Sequence, residues 1–513
     1  MTDPVEGGGN RPFNMAHYCL SAAVRATPDK PALIVISDVA TCAASETWTF
    51  AHLEDAVLRT AAALLHRGYQ QGDRILIRLG NTSTYPIVYF AAIAAGLIAL
   101  PASSQLTAAE ASFLLSDSGA RAIALGDGLP RGDIPADVDV LSETELRAMM
   151  TFPSRSSYAD TQWDDPAYLI YTSGTTARPK GVLHAQRVAY GRRPMYHDWY
   201  GISAADRMLH AGAFNWTYTL GTGLIDPWAN GATAIIFTGE KSPEVWPHLI
   251  AKTGATLFAA VPSLIRQILK YAPPGSPSRG QLRRALIAGE KPPEDLFDAW
   301  LARTGTHLHE ALGMSEISTF VSTSPTVLRK PGTTGKAQSG RRIAILPLES
   351  GTDPLPPGEQ GLIAVHRSDP GLMLHYWNRP DEDAQVIRGN WFIGGDIGSI
   401  DAEGFLTHLG RADDVMNALG YRVSPQEVEA TLALFPGVAE VACTEVRVRQ
   451  DVSVIAAFVV PAHGTQIAAE DIKAFAAGRL AAYKCPRQVH VVEALPRTAN
   501  GKIQRRLLKA PQA

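Results

Sequence analysis

Apolar and polar positions follow two rhythms along most of this chain. Short β-branched and aliphatic runs at residues 33–36, 74–79 and 122–125 read as strands, and longer Ala- and Leu-rich stretches at 52–66 and 87–100 read as helices. Alternation of this kind predicts an α/β architecture. The run 87–100 is almost wholly apolar, but at about 14 residues it is shorter than the roughly 20 needed to cross a bilayer, so it predicts a buried core helix. Gly- and Pro-rich punctuation at 273–280 and 354–361 predicts surface loops. After Arg411 the pattern changes to a helix at 424–434, strands at 438–448 and 452–460, a helix near 468–480 and a strand at 488–492. That is the content of a small α+β domain of about 100 residues. The division expected is a large N-terminal domain, 1–411, of several subdomains with mixed sheets and helices, followed by a small C-terminal domain, 412–513.

Composition narrows the class. The 513 residues are 46% hydrophobic and 19% charged, with a formal net charge of -3, which excludes a nucleic-acid footprint and requires any phosphate ligand to be met locally. The four cysteines have no C-x-x-C spacing, so neither a zinc site nor a disulfide framework is expected, and a reducing cytoplasm fits. The first ten residues carry two acids and three glycines, unlike the basic and then apolar start of an export signal.

The chemistry concentrates in a few segments. Tyr171-Thr-Ser-Gly-Thr-Thr-Ala-Arg-Pro-Lys180-Gly181 follows the apolar run 167–170. Its hydroxyls, glycine and backbone N–H groups can wrap a phosphate chain, and Lys180 adds positive charge. It is not G-x-x-x-x-G-K-[ST], because Pro179 and Gly181 stand where that loop needs glycine and a hydroxyl.

This segment resembles the signature loop of the adenylate-forming superfamily, which includes acyl-CoA synthetases, luciferases and amino-acid adenylation domains. Five further segments resemble that superfamily's motifs in its order. They are Gly289-Glu290-Lys291-Pro292, Leu312-Gly313-Met314-Ser315-Glu316, Trp391–Asp396, Gly410–Asp414 with Gly420-Tyr421-Arg422, and Pro496–Lys502. The resemblance implies roles residue by residue. Thr172, Ser173, Gly174, Thr175, Thr176 and Lys180 hold phosphates. Gly289, Glu290, Lys291, Leu312, Gly313, Met314 and Ser315 surround AMP, with Asp396 and Arg411 at the ribose. Glu316 holds Mg²⁺, and Lys502, Glu316 and Thr175 are the catalytic set. Asp413 is the hinge of a mobile C-terminal domain, and Gly420, Tyr421 and Arg422 line the path for coenzyme A.

Each role is chemically apt. Glu316 is a hard oxygen donor suited to Mg²⁺ beside phosphates. Asp396 is a short acceptor for two ribose hydroxyls. Lys502, behind Asn500-Gly501, projects from a turn. The resemblance implies an ATP-dependent acid:CoA ligase that makes an acyl-adenylate and then a thioester, with the acid seated along 212–221. Phe214, Trp216 and Tyr218 there favour an aromatic, alicyclic or medium-chain acid over acetate. No Asp or Glu lies between Arg207 and Asp226 to meet a substrate ammonium, which disfavours an amino-acid adenylation domain. The segments 312–323 and 332–336 resemble benzoate-type ligases most. Ala177, Gly395 and Leu312 depart from the superfamily's usual glycine, threonine and aromatic. Two alternatives stay open: a freestanding enzyme loading a carrier protein, for which the short stretch after Lys502 leaves no fused carrier, and a nucleotide-binding regulator without turnover. The sequence does not choose between homodimer and monomer.

Overall fold

A computed structural model describes residues 11–172, 179–273, 280–412, 416–418, 421–449, 452–497 and 503–508. The chain forms two compact units, residues 1–342 with 365–392, and residues 343–364 with 393–513. The large unit is α/β with mixed sheets, and the second carries the small α+β fold at its C-terminal end.

In the first unit, one sheet of seven strands runs His375–Tyr376, Lys180–Ala185, Pro166–Thr172, Ile98–Pro101, Arg74–Arg78, Ala122–Leu125 and Asp139–Ser142. The strand expectations at 74–79 and 122–125 fall on it. The run 87–100 does not form one helix. Its helix is Thr84–Ala94, and Gly96 then takes a left-handed φ of +78°, which turns the chain into the strand Ile98–Pro101. A helix and a strand buried on every side are equally apolar, so hydropathy alone merged them. Among the described residues no helix is long and apolar enough to cross a membrane.

The second sheet of this unit sets Arg207–His210, Leu257–Ala260, Arg284–Ala288 and Leu308–Met314 side by side and parallel. Their C-terminal ends therefore share one edge, where an open α/β sheet binds ligands. That edge gathers the segment after His210, the turn at Gly289 and the hairpin carrying Glu316.

The strands Trp391–Ile400, in the second unit from Ile393 onward, and Phe405–Arg411 form an antiparallel pair that sets Asp396 opposite Arg411. Val438–Arg449 pairs antiparallel with Val452–Pro461, and Gln488–Val491 adds a parallel strand. The helices Pro425–Leu432 and Ala469–Ala477 bury Val428, Leu432 and Ile472 with Cys443, Ile455 and Val459. These elements lie within a few residues of their expected bounds.

Candidate active site

The Glu316 hairpin is the most heavily braced part of the site. Leu308–Met314 pairs with Ser318–Ser322, so Met314 faces Ser318 across a turn of three residues, Ser315, Glu316 and Ile317. A side chain on Gly313 would begin 2.5 Å from the Ser318 carbonyl oxygen, so only glycine lets the two strands close here. Ser318 holds a left-handed φ of +73°, uncommon for a residue with a side chain.

Four groups hold this turn. The Arg192 guanidinium donates to the Ser318 hydroxyl and forms a bidentate pair with Asp226, both bonds at 2.7 Å, in a fully buried setting. His184 Nε2 lies 2.8 Å from the Ser315 carbonyl, and burial pulls its pKa down to about 3, so the neutral ring donates that bond. The Met373 N–H donates to the Glu316 carbonyl at 2.7 Å. The Tyr376 hydroxyl donates to Glu316 Oε1 at 2.8 Å.

Lys180 opens the strand Lys180–Ala185, next to Thr172 across the strand pair. Its ammonium is paired with Glu382 and lies 5.5 Å from the centre of the Tyr376 ring. Arg379 bridges Asp117 at 2.8 Å, and Tyr171 donates to the same carboxylate at 2.7 Å. Ser173, Gly174, Thr175 and Thr176 lie outside the described residues, as does the departure at Ala177.

On the shared sheet edge, Gly289 packs against the Trp216 ring, whose nearest carbons lie 3.1 Å from where a side chain on Gly289 would begin. The Glu290 carboxylate accepts from the Ser263 N–H and hydroxyl, both at 3.1 Å, and so caps the helix Pro262–Tyr271. Lys291 is exposed beside it. Desolvation raises the Glu310 carboxyl to about 8 against an opposing pull from Lys291.

The segment after His210 is built differently. Phe214 is buried against Tyr85, and the Phe214 N–H donates to Asn81 Oδ1 at 3.1 Å. Tyr218 is buried between Trp199 and His210 and donates to the carbonyls of Ala260 and Leu286 at 3.3 and 3.1 Å. Trp216 is partly buried and stands edge-on to Tyr218. His210 Nδ1 accepts from the Gly212 N–H at 2.9 Å, which puts the ring proton of the neutral imidazole on Nε2. Burial, with Lys241 nearby, pulls this histidine down to about 3. Among the described residues, Nε2 and the Thr219 hydroxyl are buried with no hydrogen-bond partner.

In the second unit, Asp396 accepts from His408 Nε2 at 3.0 Å and lies 3.6 Å from Arg411, which donates to the Gly394 carbonyl. Gly395 has a φ of +81°, so glycine suits the place where the superfamily's threonine is missing. Tyr421 and Arg422 pair with Ala418 and Asn417 as a short hairpin. Arg497 and Ile503 bridge antiparallel, tied down by the Gln504 N–H to the Pro496 carbonyl at 2.8 Å. Lys502, Asp413 and Gly420 lie outside the described residues.

Sequence reasoning missed His184, Arg192, Asp226, His210, Tyr376 and Glu382. None sits in a motif of its own; strand register and buried pairing bring them in.

Residues 20–377 match the family described as AMP-binding enzyme, and residues 427–502 match the AMP-binding enzyme C-terminal domain. The chain belongs to the AMP-binding enzyme family. This family member is 31% identical over 483 residues to a benzoate–CoA ligase of Thauera aromatica, covering 90% of this chain and 91% of the relative. It is 29% identical over 484 residues to a 3-hydroxybenzoate–CoA ligase of Aromatoleum sp. (strain CIB), covering 90% and 92%. Its fold matches a crystal structure of a benzoate CoA ligase from Burkholderia xenovorans LB400 with a TM-score of 0.85 at 28% identity, covering 96% of this chain and 99% of that one.

Proposed function

We propose that this AMP-binding enzyme activates a benzoate-type aromatic acid with ATP and transfers the acyl group to coenzyme A. The chain is an acid–thiol ligase, and the observation that carries the finer reading is the meeting of Lys180 and Glu316 at Tyr376. A cation for the phosphate chain and a carboxylate for a hard metal ion stand on two sides of one side chain.

The donor set fits Mg²⁺. Among the described residues no group of three His, Cys, Asp or Glu side chains forms a closed cage, and Mg²⁺ is commonly held by one or two carboxylates together with substrate phosphates. Bound there, it would neutralise charge on the phosphate oxygens. Lys180, with Thr172 and the segment 173–176, would grip the phosphates. Gly289, the Glu290 backbone and residues 312–315 would form the AMP cleft, while Asp396 and Arg411 would serve the ribose. Lys291 contributes positive charge near the cleft.

The reaction then needs no nucleophilic side chain. A carboxylate oxygen of the acid attacks the α-phosphorus, pyrophosphate leaves, and Lys502 bridges the charge that builds between them. The thiolate of coenzyme A next attacks the acyl carbon and AMP departs. Residues 1–411 would form the domain that binds ATP and acid. Residues 412–513 would turn about Asp413, withdraw Lys502 and present Gly420, Tyr421 and Arg422 to coenzyme A. The relatives' acids and the aromatic lining at Phe214, Trp216 and Tyr218 support the choice of acid, and we place the reaction in the cytoplasm.

The test is Lys502→Ala. Adenylate formation from ATP and benzoate falls about a hundredfold or more, the usual loss when a preorganised donor is removed, while thioester formation from supplied benzoyl-adenylate survives. Equal loss in both half-reactions would contradict this role for Lys502. Transfer to a carrier protein in preference to coenzyme A would favour the loading enzyme instead.

A further inference from the structure

The tyrosine at the centre of this geometry belongs to no motif recognised in the sequence, yet strand register fixes its place. His375–Tyr376 pairs antiparallel with Lys180–Ala185 so that Tyr376 stands opposite Val182. Opposite residues share a sheet face, and Lys180 lies two positions from Val182 on that same face. The Tyr376 ring therefore lies on the same side as the Lys180 ammonium, 5.5 Å from ring centre to nitrogen. At its other end the hydroxyl donates to Glu316 Oε1 at 2.8 Å.

The tyrosine is itself held. Its N–H donates to Asp383 Oδ1 at 2.8 Å, and the neighbouring Trp377 N–H donates to the Gly181 carbonyl at 2.7 Å. Its side chain is buried, so its orientation is set by packing. A phenol bonded to a carboxylate fixes one oxygen and the plane of that group, leaving the second oxygen for an incoming cation.

We propose that Tyr376 is a positioning residue for the nucleotide site, aiming the Glu316 carboxylate through its hydroxyl and steadying Lys180 with its ring face. This rests on the nucleotide reading of Lys180 and Glu316. Lys180 is paired with Glu382, and the ring would keep that cation on the strand face once a phosphate took the place of the carboxylate. The two contacts separate chemically, because the hydroxyl is the group that meets Glu316 and the ring face is the group that meets Lys180.

Calorimetric titration of the full chain with ATP, in Mg²⁺ and in EDTA, tests this. Tyr376→Phe keeps the ring and loses the hydroxyl. ATP affinity falls about tenfold in Mg²⁺, the worth of one hydrogen bond to a charged group, and stays at the parental value in EDTA. In a Glu316→Gln background the same change has no further effect in Mg²⁺. Tyr376→Leu, which also removes the ring face, weakens binding in EDTA by a few-fold as well. The proposal is overturned if Tyr376→Phe is silent in Mg²⁺, weakens binding equally in Mg²⁺ and EDTA, adds fully to Glu316→Gln, or abolishes cooperative melting. A parent chain that binds no ATP would remove the nucleotide reading itself; a parent that binds ATP beside a silent Tyr376→Phe removes only this proposal.

Discussion

Two regions of the large unit, the Glu316 hairpin and the segment that follows His210, meet the same sheet edge and are built on opposite principles. Around Glu316 the polar groups are paired outward from the turn: Arg192 with Asp226 and Ser318, His184 with Ser315, Tyr376 with Glu316. Around Phe214 and Tyr218 the lining is aromatic, and the buried His210 Nε2 and Thr219 hydroxyl have no partner among the described residues. A buried polar atom without a partner costs about 1–3 kcal/mol. The charged groups that brace the hairpin are paired, and among its bracing atoms the His184 Nδ1 is buried with no hydrogen-bond partner among the described residues. The segment after His210, the proposed acid site, keeps two such atoms, His210 Nε2 and the Thr219 hydroxyl.

The largest expected effect attacks the braced side. Arg192→Ala leaves the Asp226 carboxylate buried without its cation, though still accepting from the Tyr200 hydroxyl at 2.7 Å, and frees Ser318 from its anchor. We expect a loss of about 3–5 kcal/mol in urea unfolding, the usual result of removing one partner of a buried pair. A change below 1 kcal/mol would mean that the pair does not prop the hairpin.

The next effect belongs to the open side. On the proposed function, an acid site lined by Phe214, Trp216 and Tyr218 would gain about 0.8 kcal/mol for each methylene-sized group it buries, so kcat/KM for benzoate should exceed that for acetate by about a hundredfold or more. Acetate as the best acid would break the comparison, since the aromatic segment would then be ordinary core.

These two regions also differ in how far the sequence exposes them. Lys180, Glu316, Asp396 and Gly313 were legible because they stand in segments that resemble the superfamily's motifs, and the structure adds that no side chain fits at Gly313 between the strands. Tyr376 and His184 were not legible, since only the pairing of strands far apart in the chain brings them to Lys180 and Ser315. In the acid segment the aromatic character was visible, but the tautomer of His210 depends on a backbone turn to Gly212 that no pattern reveals. The fold followed the same division. Periodicity located the strands at 33–36, 74–79 and 122–125, the helix at 52–66 and the elements after 424, did not resolve the elements between 126 and 411 one by one, and failed at 87–100, where uniform burial erased the rhythm that separates a helix from the strand after it.

A smaller effect sharpens the acid side. The unpartnered His210 Nε2–H is a donor, so an acid bearing a ring oxygen within its reach gains about one hydrogen bond over benzoate, roughly tenfold in kcat/KM. His210→Phe should abolish that advantage while benzoate itself is still accepted. Equal kcat/KM for benzoate and its 3- and 4-hydroxy derivatives in the parent would show that the orphan donor faces no substrate.

A pH-dependent effect concerns Glu310, on the strand that carries the hairpin. Its carboxyl is raised from 4.5 to about 8, so between those values the folded chain holds a proton that the unfolded chain has shed. Its contribution is whole below pH 4.5 and is lost as pH rises through 8, at no more than about 1.4 kcal/mol per pH unit. Glu310→Gln should flatten that loss in melts taken from pH 5 to pH 8. An unchanged slope would show that Glu310 is ionised throughout.

The central claim is adenylation followed by thiol transfer, and one measurement meets it directly. ATP labelled at the α- and γ-phosphates is mixed with excess enzyme, Mg²⁺ and benzoate, with and without coenzyme A, and the products of a single turnover are separated. The expected products are pyrophosphate and benzoyl-adenylate without coenzyme A, and AMP with benzoyl-CoA in equal amounts when it is present. Formation of ADP, or pyrophosphate release at the same rate without any acid, would contradict it.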